Sequence, residues 1–148
     1  MSTAIRIDDL INPQLTDIQR AALQYGDTLH VDFSVAAILD IARAQTGLSD
    51  FGPDDFIERL QLLCDEWGND REIYNLHRAI LHAYLTRYAA NRLLIRDTFK
   101  KHPEIHQQQI ERPVIVIGLP RSGTTHLVNL LAADRRFNSL QLWEANEP

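Results

Sequence analysis

The chain has 148 residues, enough for one ordinary domain, and its 45% apolar content is that of a globular protein. A formal charge of −5 gives no global basic field, which argues against nucleic acid as a partner. The single cysteine, Cys64, excludes an internal disulfide and a Cys-x-x-Cys metal site.

The start, Met1 to Leu15, is mixed and acidic, without the basic and apolar regions of a secretory leader. No apolar run is long enough to span a bilayer, so a cytoplasmic protein without a transmembrane segment is expected. The pattern up to residue 112 is helical. Leu15, Ile18, Ala22 and Tyr25 make a short amphipathic stretch closed by Gly26. Ser34 caps a second helix with Val35, Ile38, Leu39 and Ala42 on one face, ending at Gly47. Pro53, followed by Asp54 and Asp55, suits the first turn of a third helix that ends at Gly68. Cys64 falls in step with Phe56, Leu60, Leu63 and Trp67 and reads as a buried small hydrophobe. Asn69 and Glu72 have capping-box spacing. A long helix then runs to about His102, with Ile73, Leu76, Ile80, Tyr84, Tyr88, Ile95 and Phe99 as its apolar positions, and Pro103 stops it. His30, His77, His82, His102 and His106 show no metal-ligand spacing and read as surface residues. Residues Pro103 to Arg112 form a polar connector.

Val114 to Ile117 are four β-branched residues in a row with no polar alternation, the pattern of a strand covered on both faces of a parallel sheet. Pro113 stands at its first position, where a missing N–H is tolerated. Gly118 and Gly123 bracket a tight turn. Thr124 and Thr125 open a helix with Leu127, Leu130 and Leu131 on one face. A helix N-terminus offers unpaired N–H groups and the positive end of a dipole. Ser122, Thr124 and Thr125 add hydroxyl donors and Arg121 adds a permanent planar cation. Together these suit a tetrahedral oxyanion, a phosphate or a sulfate. The glycine spacing also fits the nucleoside-triphosphate loop, but Thr124 stands where that loop needs lysine.

The loop Leu119-Pro120-Arg121-Ser122-Gly123-Thr124-Thr125 resembles the 5′-phosphosulfate-binding loop of the sulfotransferase family. Leu130-Leu131-Ala132-Ala133-Asp134, Trp143-Glu144 and the upstream Thr46-Gly47-Leu48-Ser49-Asp50-Phe51-Gly52 are similar to segments of one branch of that family. The resemblance implies an α/β fold: a helical region over 1–112, then at 113–148 the first strand, turn and helix of a parallel sheet, incomplete in this chain. Ser139 to Trp143 is a candidate second strand. It implies 3′-phosphoadenosine-5′-phosphosulfate as co-substrate, without a metal. Arg121, Ser122, Gly123, Thr124 and Thr125 would wrap its 5′-phosphosulfate, and His126 would contact the adenine. Arg121 would be catalytic, neutralising charge on the bridging oxygen as the 5′-phosphate leaves.

The family's 3′-phosphate ligands and catalytic base have no match between Phe137 and Pro148. A sulfotransferase-like fragment, inactive alone, is therefore expected, with a small-molecule hydroxyl acceptor for the whole enzyme. A homo-oligomer or a partner chain would cover the incomplete sheet. Arg135 and Arg136 are expected to complement the preceding helix's C-terminal dipole, and Trp143-Glu144 to serve as a packing anchor rather than a catalytic pair. Two alternatives stand beside this reading: a P-loop nucleotide-binding kinase, and a non-enzymatic helical interaction module with a vestigial loop.

Overall fold

The computed structural model describes residues 13–147. Most of Met1–Leu15, read above as lacking a leader, lies outside that range. Six α-helices make up the regular structure of the described residues: α1 (Asp17–Asp27), α2 (Val35–Thr46), α3 (Ile57–Asn69), α4 (Asn75–Lys101), α5 (Thr124–Ala132) and α6 (Leu142–Asn146). A 3-10 turn, Pro103–Gln107, follows α4.

Local chemistry sets most helix ends. The Thr16 hydroxyl accepts from Gln19 N at 3.3 Å, and Gln19 Oε1 accepts from Thr16 N at 2.8 Å, a capping box that starts α1. Ser34 Oγ accepts from Ala37 N at 3.2 Å and starts α2. Gly47, at φ 70°, ends it as expected. The capping box expected at Asn69 and Glu72 does not form. Asn69 is the last residue of α3, and its side-chain amide donates back to the Asp65 carbonyl at 2.8 Å. The α3 C-terminus is closed instead from a distance. The Arg78 guanidinium donates to the carbonyls of Trp67, Gly68 and Asp70 at 3.0, 2.8 and 3.1 Å. Gly26 does not close α1. It lies within the helix where the chain crosses Leu76, and a β-carbon there would come within 2.6 Å of Leu76 Cβ.

The core lies between α2, α3 and α4. Ile38 and Ala42 of α2, Cys64 of α3 and Leu93 of α4 are essentially inaccessible, and Phe51 fills it from the loop between α2 and α3. Burial pushes the Cys64 thiol up, with the nearby Asp65 and Asp32 charges adding to the effect.

Helix α4 presents two stripes at helical spacing, and the buried one is not the one its large residues mark. Leu85, Ala89, Ala90 and Leu93 face the core, whereas Ile80, Tyr84, Tyr88 and Ile95 are 40–58% exposed. The alanines let α2 approach closely, which the tyrosines could not. His82, expected on the surface, is buried on the same inner stripe. Its ring meets Phe33 edge-on at 5.6 Å between centroids.

The expected α/β fold is overturned: among the described residues there is no strand. None of the backbone groups of Val114 to Ile117 hydrogen-bonds to another backbone group there, and Val114, Ile115 and Ile117 are 59–88% exposed. The reason is physical. A strand is defined by a ladder to a neighbour, and among the described residues no backbone ladder reaches this segment. The candidate second strand at Ser139 to Trp143 instead leads into α6. Gln141 and Glu144 form a capping box there, with Gln141 N donating to Glu144 Oε2 at 2.7 Å.

Candidate functional site

The turn from Gly118 to His126 is built mostly from its own backbone. Ser122 N donates to the Leu119 carbonyl at 3.1 Å and closes a four-residue turn. At its base, a β-carbon on Gly118 would sit 2.5 Å from Ser122 Oγ and 2.8 Å from Thr124 Cγ2, so those side chains would have to turn away. Arg121 has φ 66° and Gly123 φ 92°, while Pro120 and Ser122 stay on the negative side. An alternation of this kind turns successive N–H groups toward one side, the backbone nest that holds anions.

Gly123 is also the N-cap of α5, with no side-chain cap on the helix. Its carbonyl accepts from Leu127 N at 3.0 Å. The N–H groups of Thr124, Thr125 and His126 therefore have no backbone or capping acceptor among the described residues, and the helix dipole is positive where they point. Arg121 is exposed and makes no ion pair or hydrogen bond there. Thr124 is half-buried; Ser122, Thr125 and His126 are exposed. The residues picked from sequence thus come together on one turn of chain, as an open cation, a row of free amides and three hydroxyls. A non-glycine residue in the left-handed region costs roughly 1–2 kcal/mol. Arg121 holds that conformation just ahead of the free amides of the α5 N-terminus.

Other sequence expectations fare differently. Arg136 does not complement the end of α5. It grips Asp134, with both carboxylate oxygens within 3.0 Å of Nε, which raises the guanidinium and holds the Asp134 carboxyl below the usual range. Trp143 is 66% exposed and so is not a buried packing anchor. Glu144 is occupied in capping α6. Beside the turn, Val114, Val116, Val128, Leu131 and Phe137 line a groove of about 1050 Å³ that includes none of residues 118–126.

The sequence reading also missed a polar clamp. Arg92 of α4 donates Nε to the Phe51 carbonyl at 2.7 Å and Nη2 to the Pro53 carbonyl and to Asp55 Oδ1, both at 2.8 Å. About two turns on, Lys100 meets Asp50 at 2.5 Å, with Arg96, one turn on, 3.8 Å from the same carboxylate. The Lys100 ammonium, and then the Gly52 amide, hold the Asp50 carboxyl below the usual range. The spacing 92, 96, 100 is visible in the sequence as a basic stripe, and the loop from Asp50 to Asp55 is what it clamps.

Residues 113–148 match the model of the sulfotransferase family. The chain is also similar to a solved structure, the sulfotransferase STF1 from Mycobacterium tuberculosis H37Rv, with 34% identity and a TM-score of 0.73 over 80% of this chain. That match covers 33% of the mycobacterial chain, so this chain spans about a third of the length of its solved relative. No curated protein matches.

Proposed function

Since this chain belongs to the sulfotransferase family, we propose that its turn from Gly118 to His126 binds the 5′-phosphosulfate of 3′-phosphoadenosine-5′-phosphosulfate. The chain would supply that part of an enzyme moving a sulfuryl group to an acceptor hydroxyl. The observation that carries this reading is the run of free N–H groups at the α5 N-terminus beside the unpaired Arg121 guanidinium. Such a site suits the two linked, singly charged tetrahedral groups of a phosphosulfate and costs little reorganisation when they arrive. Arg121 neutralises the bridging oxygen as the sulfuryl group departs. Ser122, Thr124 and Thr125 donate to the phosphate oxygens, and His126 faces the nucleoside. In-line transfer of this type depends on positioning and charge rather than on a covalent step by the protein. Within that reading the chain contributes the donor loop, and the proposal assigns no base and no 3′-phosphate ligand to it. The division into a helical region, 1–112, and the start of the donor-binding unit, 113–148, belongs to the same proposal.

Calorimetry with adenosine 3′,5′-bisphosphate tests it. The chain should take up the bisphosphate in preference to ATP–Mg²⁺, and Arg121→Ala should weaken uptake by about 1.5–3 kcal/mol, the usual worth of a hydrogen bond to a charged group. Equal uptake by wild type and Arg121→Ala, or a preference for ATP–Mg²⁺, would remove the turn from this role.

A further inference from the structure

Leu76, Ile80, Tyr84 and Tyr88 stand four residues apart and form one ridge along α4. The ridge starts where α1 is seated, because Leu76 is the residue that Gly26 approaches closely. Beyond that seat it lies open: Ile80, Tyr84 and Tyr88 are 44, 42 and 58% exposed. Tyr84 and Tyr88 stack with 6.3 Å between ring centroids, and the Arg87 guanidinium lies over both rings, at 5.0 and 5.7 Å. Arg87 pairs with no carboxylate among the described residues, and its Nε is buried without an acceptor. Tyrosine rings beside an arginine are common anchors of a polypeptide contact. This ridge lacks two things, an apolar cover and an acidic partner for Arg87.

We propose that the chain's own residues 1–12, which lie outside the described range, supply both by lying across this ridge. Three observations choose this occupant. The first is chemical. Ile5, Ile7, Leu10 and Ile11 flank the adjacent carboxylates Asp8 and Asp9, against one base, Arg6. The aliphatic side chains cover the tyrosine rings, and Asp8 or Asp9 meets the unpaired guanidinium. The second is continuity. Residues 1–12 lead directly into α1, and the ridge begins at the seat of α1 on α4. The third is reach. The longest path from Asp17, back along α1 to Gly26 and then along α4 from Leu76 to Tyr84, is about 35 Å. The chain from Ile5 to Asp17 can span roughly 40 Å when extended. A segment tethered in this way acts at an effective concentration in the millimolar range, which a second copy reaches only in concentrated solution. Neither the family nor Arg121 enters into this contact.

Hydroxyl-radical labelling of the full chain, read by mass spectrometry, tests it. Tyr74 and Tyr88 have the same exposure among the described residues, 58%, so Tyr74 is the internal reference. In the wild-type chain Tyr88 and Tyr84 should be labelled several-fold more slowly than Tyr74. In the full chain carrying Ile7→Asp and Leu10→Asp the difference should vanish while helical circular dichroism is unchanged. Asp8→Asn with Asp9→Asn should give part of the same increase. Equal labelling of Tyr74 and Tyr88 in the wild-type chain would overturn the proposal, as would protection of Tyr88 that survives Ile7→Asp with Leu10→Asp. Protection that grows with protein concentration would also overturn it, since a second copy would then be the occupant. A cross-link needs no disruptive substitution and decides the matter where the double variant loses helix. A benzophenone amino acid in place of Ile7 should link, on illumination, to the α4 peptide that carries Tyr84 and Tyr88 within one chain. A link to any other segment, a link between two chains, or no link at all counts against the contact.

Discussion

Arg92→Ala should be among the costliest single changes outside the apolar core. Arg92 ties three points of the loop between α2 and α3 to α4: the Phe51 carbonyl, the Pro53 carbonyl and the Asp55 carboxylate. Its guanidinium also lies 4.3 Å from the Phe56 ring centroid. A net hydrogen bond is worth about 0.5–1.5 kcal/mol, so the two carbonyl contacts contribute roughly 1–3 kcal/mol. The Asp55 pair is discounted to about 0.2–1 kcal/mol, because Asp55 is 61% exposed. Stacking on Phe56 adds about 0.5–1 kcal/mol at a partly exposed site. These contributions share one side chain and are not additive. A loss of about 2–3 kcal/mol is expected, well above the ±0.5 kcal/mol of an ordinary surface substitution. Urea titration of wild type and variant, extrapolated to water, measures it. Arg92→Lys should recover less than half, because an ammonium keeps the charge but lacks the planar fork that spans two carbonyls. If Arg92→Ala lies within 0.5 kcal/mol of wild type, the clamp is a solvated surface contact and the account of this loop is wrong.

Gly26→Ala should destabilise the contact of α1 with α4 by about 1–3 kcal/mol, because the new methyl meets Leu76 backbone as well as its side chain; a thermal melt reads this. The Asp50 carboxyl is held low by Lys100, so its folded pKa lies below its unfolded one. Its contribution is therefore present above the unfolded value, about 3.9, and is lost as pH falls through the lower folded value. Asp50→Asn should lower stability near pH 7 and flatten the fall in stability below about pH 4, checked by urea midpoints across that range. Cys64, buried with its thiol pushed up, should resist a thiol reagent in the native chain and react promptly in denaturant. Fast native labelling would mean that α3 opens far more readily than its packing indicates.

Chain-local chemistry was legible in the sequence by itself. The Ser34 cap, the Gly47 stop, the break at Pro103 and the inward turn of Cys64 each depend on a few neighbouring residues, and each occurs as read. The turn from Gly118 to His126 is local in the same way. Gly118, Arg121, Gly123 and the two threonines act within one short stretch, so their juxtaposition follows once the turn forms. Tertiary structure decided the rest, wherever an answer depends on what lies opposite. Both stripes of α4 have helical spacing, and only the approach of α2 selected the alanine side and turned Tyr84, Tyr88 and Ile95 outward. His82 went inward with that choice. Arg78 and Arg92 cap carbonyls up to 41 residues away, which no local window reveals. Val114 to Ile117 carry the composition of a buried strand, yet composition supplies no ladder partner. Secondary structure that closes its own hydrogen bonds, as a helix does, can be read from one segment, whereas a strand exists only in company.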